Sequence, residues 1–394
     1  MKKFALFMLM ILVVAAGLAI TQPVSVSAWG GTLEVGLEKP YQTIQAAVDD
    51  ARPGDTILVY EGYYEESVLV TTNNLKIIAK DGVTVYSPNG GTAAFTVYAD
   101  RVTIRGFDKL TGKMDCVPGI QFEGSYNIFA DNIIDPGSCP GVNALVCRDN
   151  DGGSNFNRIE NNTIVHADLG IVMTSVNSDA LNIGNIIRNN TINNISQTGI
   201  VVENGLGFNV SGNTIPGSIT GHCITVIADN NTPQGHHRIT NNVVLHCAEY
   251  GIALWADNAT TLSRNRIAKN EVSFSTRGIN LYADPDAMVS RNLIQDNTVY
   301  HNYNGVYLES GADNNLILEN LVETNHDMGI VIRGDNNMVA KNNALSNASD
   351  GINVDGNNNT IISNTALDND VWDLADWGLH NTWLFNDYET ASWE

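Results

Sequence analysis

Residues 251–283 read GIALWADNATTLSRNRIAKNEVSFSTRGINLYA. The stretch opens on Gly251 with apolar side chains at Ile252 and Leu254, and 27 residues later it returns to the same phrase as Gly278, Ile279 and Leu281. Apolar residues at +1 and +3 from a glycine have period two, which puts one face of a short strand inside. Outward from this pair a glycine recurs at Gly119, Gly141, Gly170, Gly199, Gly221, Gly305, Gly329 and Gly351, at spacings of 22 to 30 residues, and nearly every one is followed by the same phrase. A second column keeps step: Asn132, Asn162, Asn190, Asn213, Asn242, Asn270, Asn297, Asn320, Asn343 and Asn364. Two places after each comes an aliphatic or small residue such as Ile164, Val272 or Ala366. Two columns at one period predict that each repeat is a single winding of the backbone stacked on the one before.

Such a winding cannot bury its own apolar face, whereas stacked parallel windings share an interior and satisfy one another's backbones. Asparagine tolerates left-handed corners, and its amide can donate to one rung while accepting from the next. About 50 asparagines in 394 residues fit that use. The rod's ends need covers. Ile44, Ala47, Val48 and Ala51 form one helix stripe that Pro53-Gly54 ends, and the strand Thr56–Tyr60 follows, giving an N-terminal cap over about 36–60. Trp372, Trp377 and Trp383 suggest an aromatic plug over about 370–394. The expectation is one β-solenoid domain, residues 29–394, with a short capping helix.

The first 28 residues read as a secretory signal. Lys2 and Lys3 precede the apolar run Phe4–Ile20, and Ser27-Ala28 offers a small cleavage site. An uncleaved anchor is the alternative, at the short edge of a span. After cleavage no segment is long and apolar enough to cross a membrane. The protein is therefore expected to be secreted, periplasmic or on the cell surface. A net charge of −22, from 21 Lys+Arg against 43 Asp+Glu, excludes non-specific nucleic-acid binding and docking on anionic lipid, which need basic surface.

The run YQTIQAAVDDARPGDTILVYEGYYEESVLV (Tyr41–Val70), with the glycine and asparagine columns, resembles right-handed parallel β-helix proteins of the pectin-lyase-like superfamily, among them NosD-like periplasmic proteins and polysaccharide-processing enzymes. The resemblance implies an all-β, single-stranded right-handed parallel β-helix. It leaves the activity open, because this fold carries lyases, hydrolases, epimerases and non-catalytic surface proteins.

In a stacked coil, equal offsets from the glycines become outward columns. At +4 stand Trp255, Tyr282, Glu309, Arg333 and Asp355; at +2, Ala253, Asn280, Tyr307, Val331 and Asn353; at +6, Asp257, Asp284, Gly311, Asp335 and Asn357. One reading is a sugar groove in which Trp255, Asn280, Tyr282, Tyr307 and Asp284 bind the glycan. Glu309, Arg333, Asp335 and Asp355 would then supply acid, base and charge stabilisation. The other reading is a solvated face whose aromatics reflect strand propensity. Signatures of the fold's enzymes appear only as fragments: Gly221-His222-Cys223 without an Asp pair, and Asp284-Pro285-Asp286 without a histidine.

Soft ligands at His222-Cys223, His246-Cys247 and His236-His237 raise copper or zinc, but their offsets from Gly221 and Gly251 differ, so no metal site is assigned. No cofactor is expected beyond Ca²⁺, which Asp149-Asn150-Asp151-Gly152 offers oxygens to hold; a plain Asx turn is the alternative. Cys116 and Cys139 precede Gly119 and Gly141 by three and two residues, which predicts a disulfide between neighbouring rungs and leaves Cys147, Cys223 and Cys247 as buried thiols. The sequence thus reads as an exported monomer that binds, and in one version cleaves, extracellular or cell-wall polysaccharide. A non-catalytic surface rod and a NosD-like periplasmic metal-handling accessory are the alternatives.

Overall fold

The structure, a computed structural model, describes residues 30–88, 92–112, 117–137, 142–149, 153–175, 181–217, 220–229 and 233–393. The expected signal segment, residues 1–28, lies outside them, as do Cys116, Cys139 and most of the acidic turn at Asn150–Gly152.

The period-two segments form short strands that stack in parallel, winding on winding. One sheet has 15 strands from Thr32–Val35 to Thr382–Leu384. A second assembly of 25 strands has two faces, joined at a corner by the thirteen-residue strands Thr163–Ser175 and Thr191–Glu203. A five-stranded patch, from Asn182–Ile183 to Met288–Ser290, lines the corner between the second of these faces and the 15-stranded sheet. The opening phrase pairs as expected, with Ile252 on Ile279, Leu254 on Leu281 and Trp255 on Tyr282. Ile252, Leu254, Ile279 and Leu281 are fully buried, as are Val244 and Val272 from the neighbouring face and Ile267 and Ile294 from the opposite sheet. Each such side chain contributes about 1.5–3 kcal/mol of burial. The expected parallel β-helix is the fold.

The glycine column requires one revision. Backbone pairing places Ala144 beside Gly170, and Cys223 between Gly199 and Gly251, where sequence spacing put Gly141 and Gly221. The apolar +1 residues Leu145 and Ile224 hold the register, not the glycines. The reason for glycine at the other rungs is close approach. A Cβ on Gly278 would lie 2.4 Å from Val299 Cγ1 and 2.9 Å from Asn302 Nδ2.

Asparagines form three ladders. In the ladder read from sequence, Asn270 Nδ2 donates to Asn297 Oδ1 (3.0 Å) and to the Ile239 carbonyl (2.9 Å), and Asn270 Oδ1 accepts from Asn242. Its later member is Asn342, fully buried, and not the neighbouring Asn343. The left-handed residue is the one before each ladder asparagine, including Lys269 (φ 57°) and Glu319 (φ 55°). A second ladder runs Asn127, Asn157, Asn185, then Asn265, Asn292, Asn315, Asn337 and Asn359, with His237 in the gap. The third joins Asn302, Asn325, Asn347 and Asn369.

Helix Ile44–Asp50 covers the first winding with Ile44, Ala47 and Val48. Thr43 Oγ1 accepts from Ala46 N–H, and the Glu66 carboxylate accepts from Ile44 and Gln45 N–H at 2.8 Å each, so its free donors are satisfied. At the other end the coil continues in register through Leu374–Asp376 and Thr382–Leu384. On this last winding Trp383 and Tyr388 pack against the core. Trp383 meets Trp393 at 5.0 Å, while Trp377 is exposed and Trp372 half-buried.

Candidate functional site

The strands Tyr250–Ala256, Arg277–Ala283, Asn304–Leu308, Ile330–Ile332 and Ile352–Val354 lie side by side. Their inward residues fill the core, so alternation turns the +2 and +4 residues outward. The +2 row is nevertheless buried: Ala253, Asn280, Tyr307, Val331 and Asn353 are each less than 5% exposed. It forms a buried floor between outward rows, where sequence reading expected an open column.

One bank is the +4 row. Trp255 and Tyr282 meet edge to face at 4.9 Å, and Glu309, Arg333 and Asp355 continue the line. The other bank was not anticipated. It is drawn from the residues before the register positions, among them His222, Tyr250, Arg277 and Asp350. His222 stacks on Tyr250 at 4.8 Å, and the Arg277 guanidinium lies 5.5 Å from the Tyr250 ring. Arg277 reaches across the floor, 3.8 Å from the Tyr307 ring centroid, to donate to Asn280 Oδ1 (3.0 Å) and Glu309 Oε1 (2.5 Å). Arg333 lies 5.1 Å from the centroid of the same ring, 3.7 Å from Glu309 Oε2 and 3.4 Å from Asp355 Oδ2.

Of the residues expected to act together, Glu309, Arg333 and Asp355 form one chain of charge. Asp335 is elsewhere: its Oδ1 accepts from Asn357 N–H at 2.7 Å, holding the next winding's turn. Asp284 lies beside Asp257 and Tyr282. A hydrogen bond donated to Asp284 raises the Asp257 carboxyl above its ordinary value. The Tyr282 hydroxyl, and then Asp257, lower Asp284, while the bond to Asp284 raises the Tyr282 hydroxyl. Neighbouring carboxyls driven apart in this way form a donor and acceptor pair. Asp350 is buried at the floor's edge, where burial raises its carboxyl; Asn353 Nδ2 donates to it at 2.7 Å.

Cys223 and Cys247 are joined as a disulfide, with Cα atoms 5.6 Å apart, and are not the buried thiols expected. Counting from Gly221 hid the pairing, because Cys223 itself holds the register position. Cys247 occupies the column that carries Asn302, Asn325 and Asn347 on later rungs. There the asparagine amide fills the space in front of a glycine; here two sulfurs fill it. Cys147 is buried in the core.

The residues from 184 to 337 and from 287 to 373 match the description "Right handed beta helix region", which fixes the class as a right-handed parallel β-helix of the pectin-lyase-like kind. Residues 48–259, more than half of the chain, match "Periplasmic copper-binding protein (NosD)", and the chain belongs to the NosD family. No curated protein matches the sequence. Among solved structures, the chain is similar to the A-module of the Azotobacter vinelandii mannuronan C-5 epimerase AlgE6 (TM-score 0.60, 15% identity, 87% of this chain and 93% of that one). It is also similar to the A-module of AlgE4 from the same organism (0.56, 15%, 89% and 94%). A double mutant of the periplasmic alginate epimerase AlgG gives 0.56 at 14% identity over 91% of this chain and 84% of that one. At such identities the likeness is one of fold.

The family description raises copper, and the donors here do not gather around an ion. The two thiols nearest to histidines are consumed by the disulfide. His237 is enclosed in the second ladder, accepting at Nδ1 from Phe208 N–H. Among the described residues no three His, Cys, Asp or Glu side chains come together as ligands. No described helix is long and apolar enough to cross a membrane.

Proposed function

We propose that the protein is exported and binds a polysaccharide along the groove between the Tyr250–Arg277 and Trp255–Asp355 banks. The observation that carries this reading is the Trp255–Tyr282 pair, two outward aromatic rings set edge to face on adjacent rungs, beside a buried row that includes Asn280 and Asn353. Sugar rings offer apolar faces to such aromatics and hydroxyls to the flanking amides and carboxylates. The similarity to alginate and mannuronan epimerases supports a carbohydrate partner, and the family description and a disulfide both suit the periplasm.

A processing activity is a second reading, favoured by the Asp257–Asp284–Tyr282 unit, in which one carboxyl is raised and its neighbour lowered. In that reading Asp257 donates a proton and Asp284 accepts one. Glu309 does not suit the role of free base expected from sequence, because both its oxygens are engaged by arginines. A role in metal handling has less support, since the disulfide removes the two soft ligands that suggested it.

A glycan array tests the proposal. Wild-type protein should be retained by one or a few polysaccharides, and Trp255→Ala and Tyr282→Ala should lose that retention while keeping the wild-type circular dichroism spectrum. Retention unchanged in both variants, or none on any glycan, overturns it. Asp257→Asn and Asp284→Asn, assayed for new reducing ends or unsaturated uronates on the retained glycan, separate processing from binding.

A further inference from the structure

Arg277 and Glu309 stand on opposite banks of the groove, and their ion pair spans it. Both side chains are only 19% exposed. Beneath the pair lie the Tyr307 ring and Asn280, whose Oδ1 is taken by Arg277 while its buried Nδ2 has no partner. Arg333 closes on the same carboxylate from the next rungs. A carboxylate held between two guanidiniums over an aromatic ring is the arrangement of an anion receptor. Here the protein supplies the anion itself. The unpartnered amide marks the place as built for more than the internal pair, because a buried donor left unmet is costly.

We infer that Arg277 and Arg333 form a binding site for a carboxylate borne on a sugar ring, and that Glu309 occupies it as an internal competitor. The inference rests on the groove being a glycan site and adds what selects the glycan at this point. A uronic acid residue would replace Glu309 between the guanidiniums, stack on Tyr307 and offer a hydroxyl to Asn280 Nδ2. A neutral sugar has no charge with which to displace Glu309 and would stay over the Trp255–Tyr282 segment. The net charge of −22 does not forbid this, since charges beyond about 8 Å are largely screened at physiological salt, while the two arginines act at contact.

The test is isothermal titration with an oligouronate and with its methyl-esterified form, which has the same rings without the charge. Glu309→Gln and Glu309→Ala should each bind the free acid about tenfold more tightly than wild type, about 1.4 kcal/mol. Affinity for the ester should not change. Arg277→Met in the Glu309→Gln background should return the free acid to wild-type affinity or weaker. Unfolding midpoints of the variants establish that each is folded. No gain for the acid, or an equal gain for the ester, overturns the inference. If a neutral glycan is still retained through Trp255 in that case, groove binding stands and only the uronate site falls.

Discussion

Replacing His237 by asparagine should remove a defined acid sensitivity from the rod. His237 stands where neighbouring rungs of the second ladder carry asparagine: Phe208 N–H donates to its Nδ1 at 3.2 Å, and its own N–H donates to Asn265 Oδ1 at 2.9 Å. It is fully buried against the Phe208 ring. Burial pushes the imidazole down from 6.5 to about 3, and the Gly205 backbone compensates only in part. The unfolded chain therefore takes up a proton near pH 6.5, the folded chain only near 3, and acidification favours unfolding across that window. Between about pH 7.5 and about pH 5 this one residue should cost wild type about 2 kcal/mol, rising toward about 5 kcal/mol below pH 3. Asparagine does not titrate and can accept from Phe208 N–H. It leaves a void where the ring was, so His237→Asn should be less stable than wild type at neutral pH by about 1–2 kcal/mol. The assay is urea unfolding of both proteins at the two pH values, followed by tryptophan fluorescence and by circular dichroism, since a stacked rod need not unfold as one unit. The variant should lose about 2 kcal/mol less than wild type on acidification. An identical loss in both would refute the assignment.

Other expectations follow from the stacking. Asn270→Ala strands the Asn242 N–H and Nδ2 donors and the Ile239 carbonyl in the core, and should cost about 3 kcal/mol by thermal or urea unfolding. The conservative Asn270→Asp should also destabilise, because it cannot donate to Asn297. Reduction of Cys223–Cys247, or Cys223→Ser with Cys247→Ser, reopens a 24-residue loop and should lower stability by about 2–3 kcal/mol, read as a fall in Tm that added reductant produces in wild type alone. Gly278→Val should be worse than either, since even a Cβ there meets Val299 and Asn302; loss of soluble protein or of the cooperative transition is the expected readout.

The fold was legible because its physics is one-dimensional. Ile252, Leu254, Ile279 and Leu281 announce a strand by period two, and repetition at one spacing announces stacking. Eight of the ten chosen glycines hold the register position. Gly141 and Gly221 misled because Ala144 and Cys223 take that place and leave a glycine nearby as decoy. The disulfide was missed for the same reason, although Cys247 precedes Gly251 by four residues as Asn347 precedes Gly351. Counting from the apolar residue, Ile224 or Ile252, would have found it. The +4 bank could be read from one offset. The opposite bank could not, because Arg277 meets Glu309 from 32 residues away, across a corner and one rung on, where side-chain reach decides contact. Asp335 shows the converse: an offset in column with Asp257 and Asp284 whose carboxylate is spent on the Asn357 backbone.

Successive windings of one chain assemble the proposed glycan site at Trp255 and Tyr282. Hydroxyl-radical footprinting with and without a retained polysaccharide tests it at residue resolution. Oxidation of Trp255, Tyr282 and Tyr250 should fall severalfold when the glycan is bound, while Trp377, Trp383 and Trp393 at the rod's end react as before. Protection confined to the end of the rod, spread evenly over its surface, or absent from Trp255 and Tyr282 would contradict it.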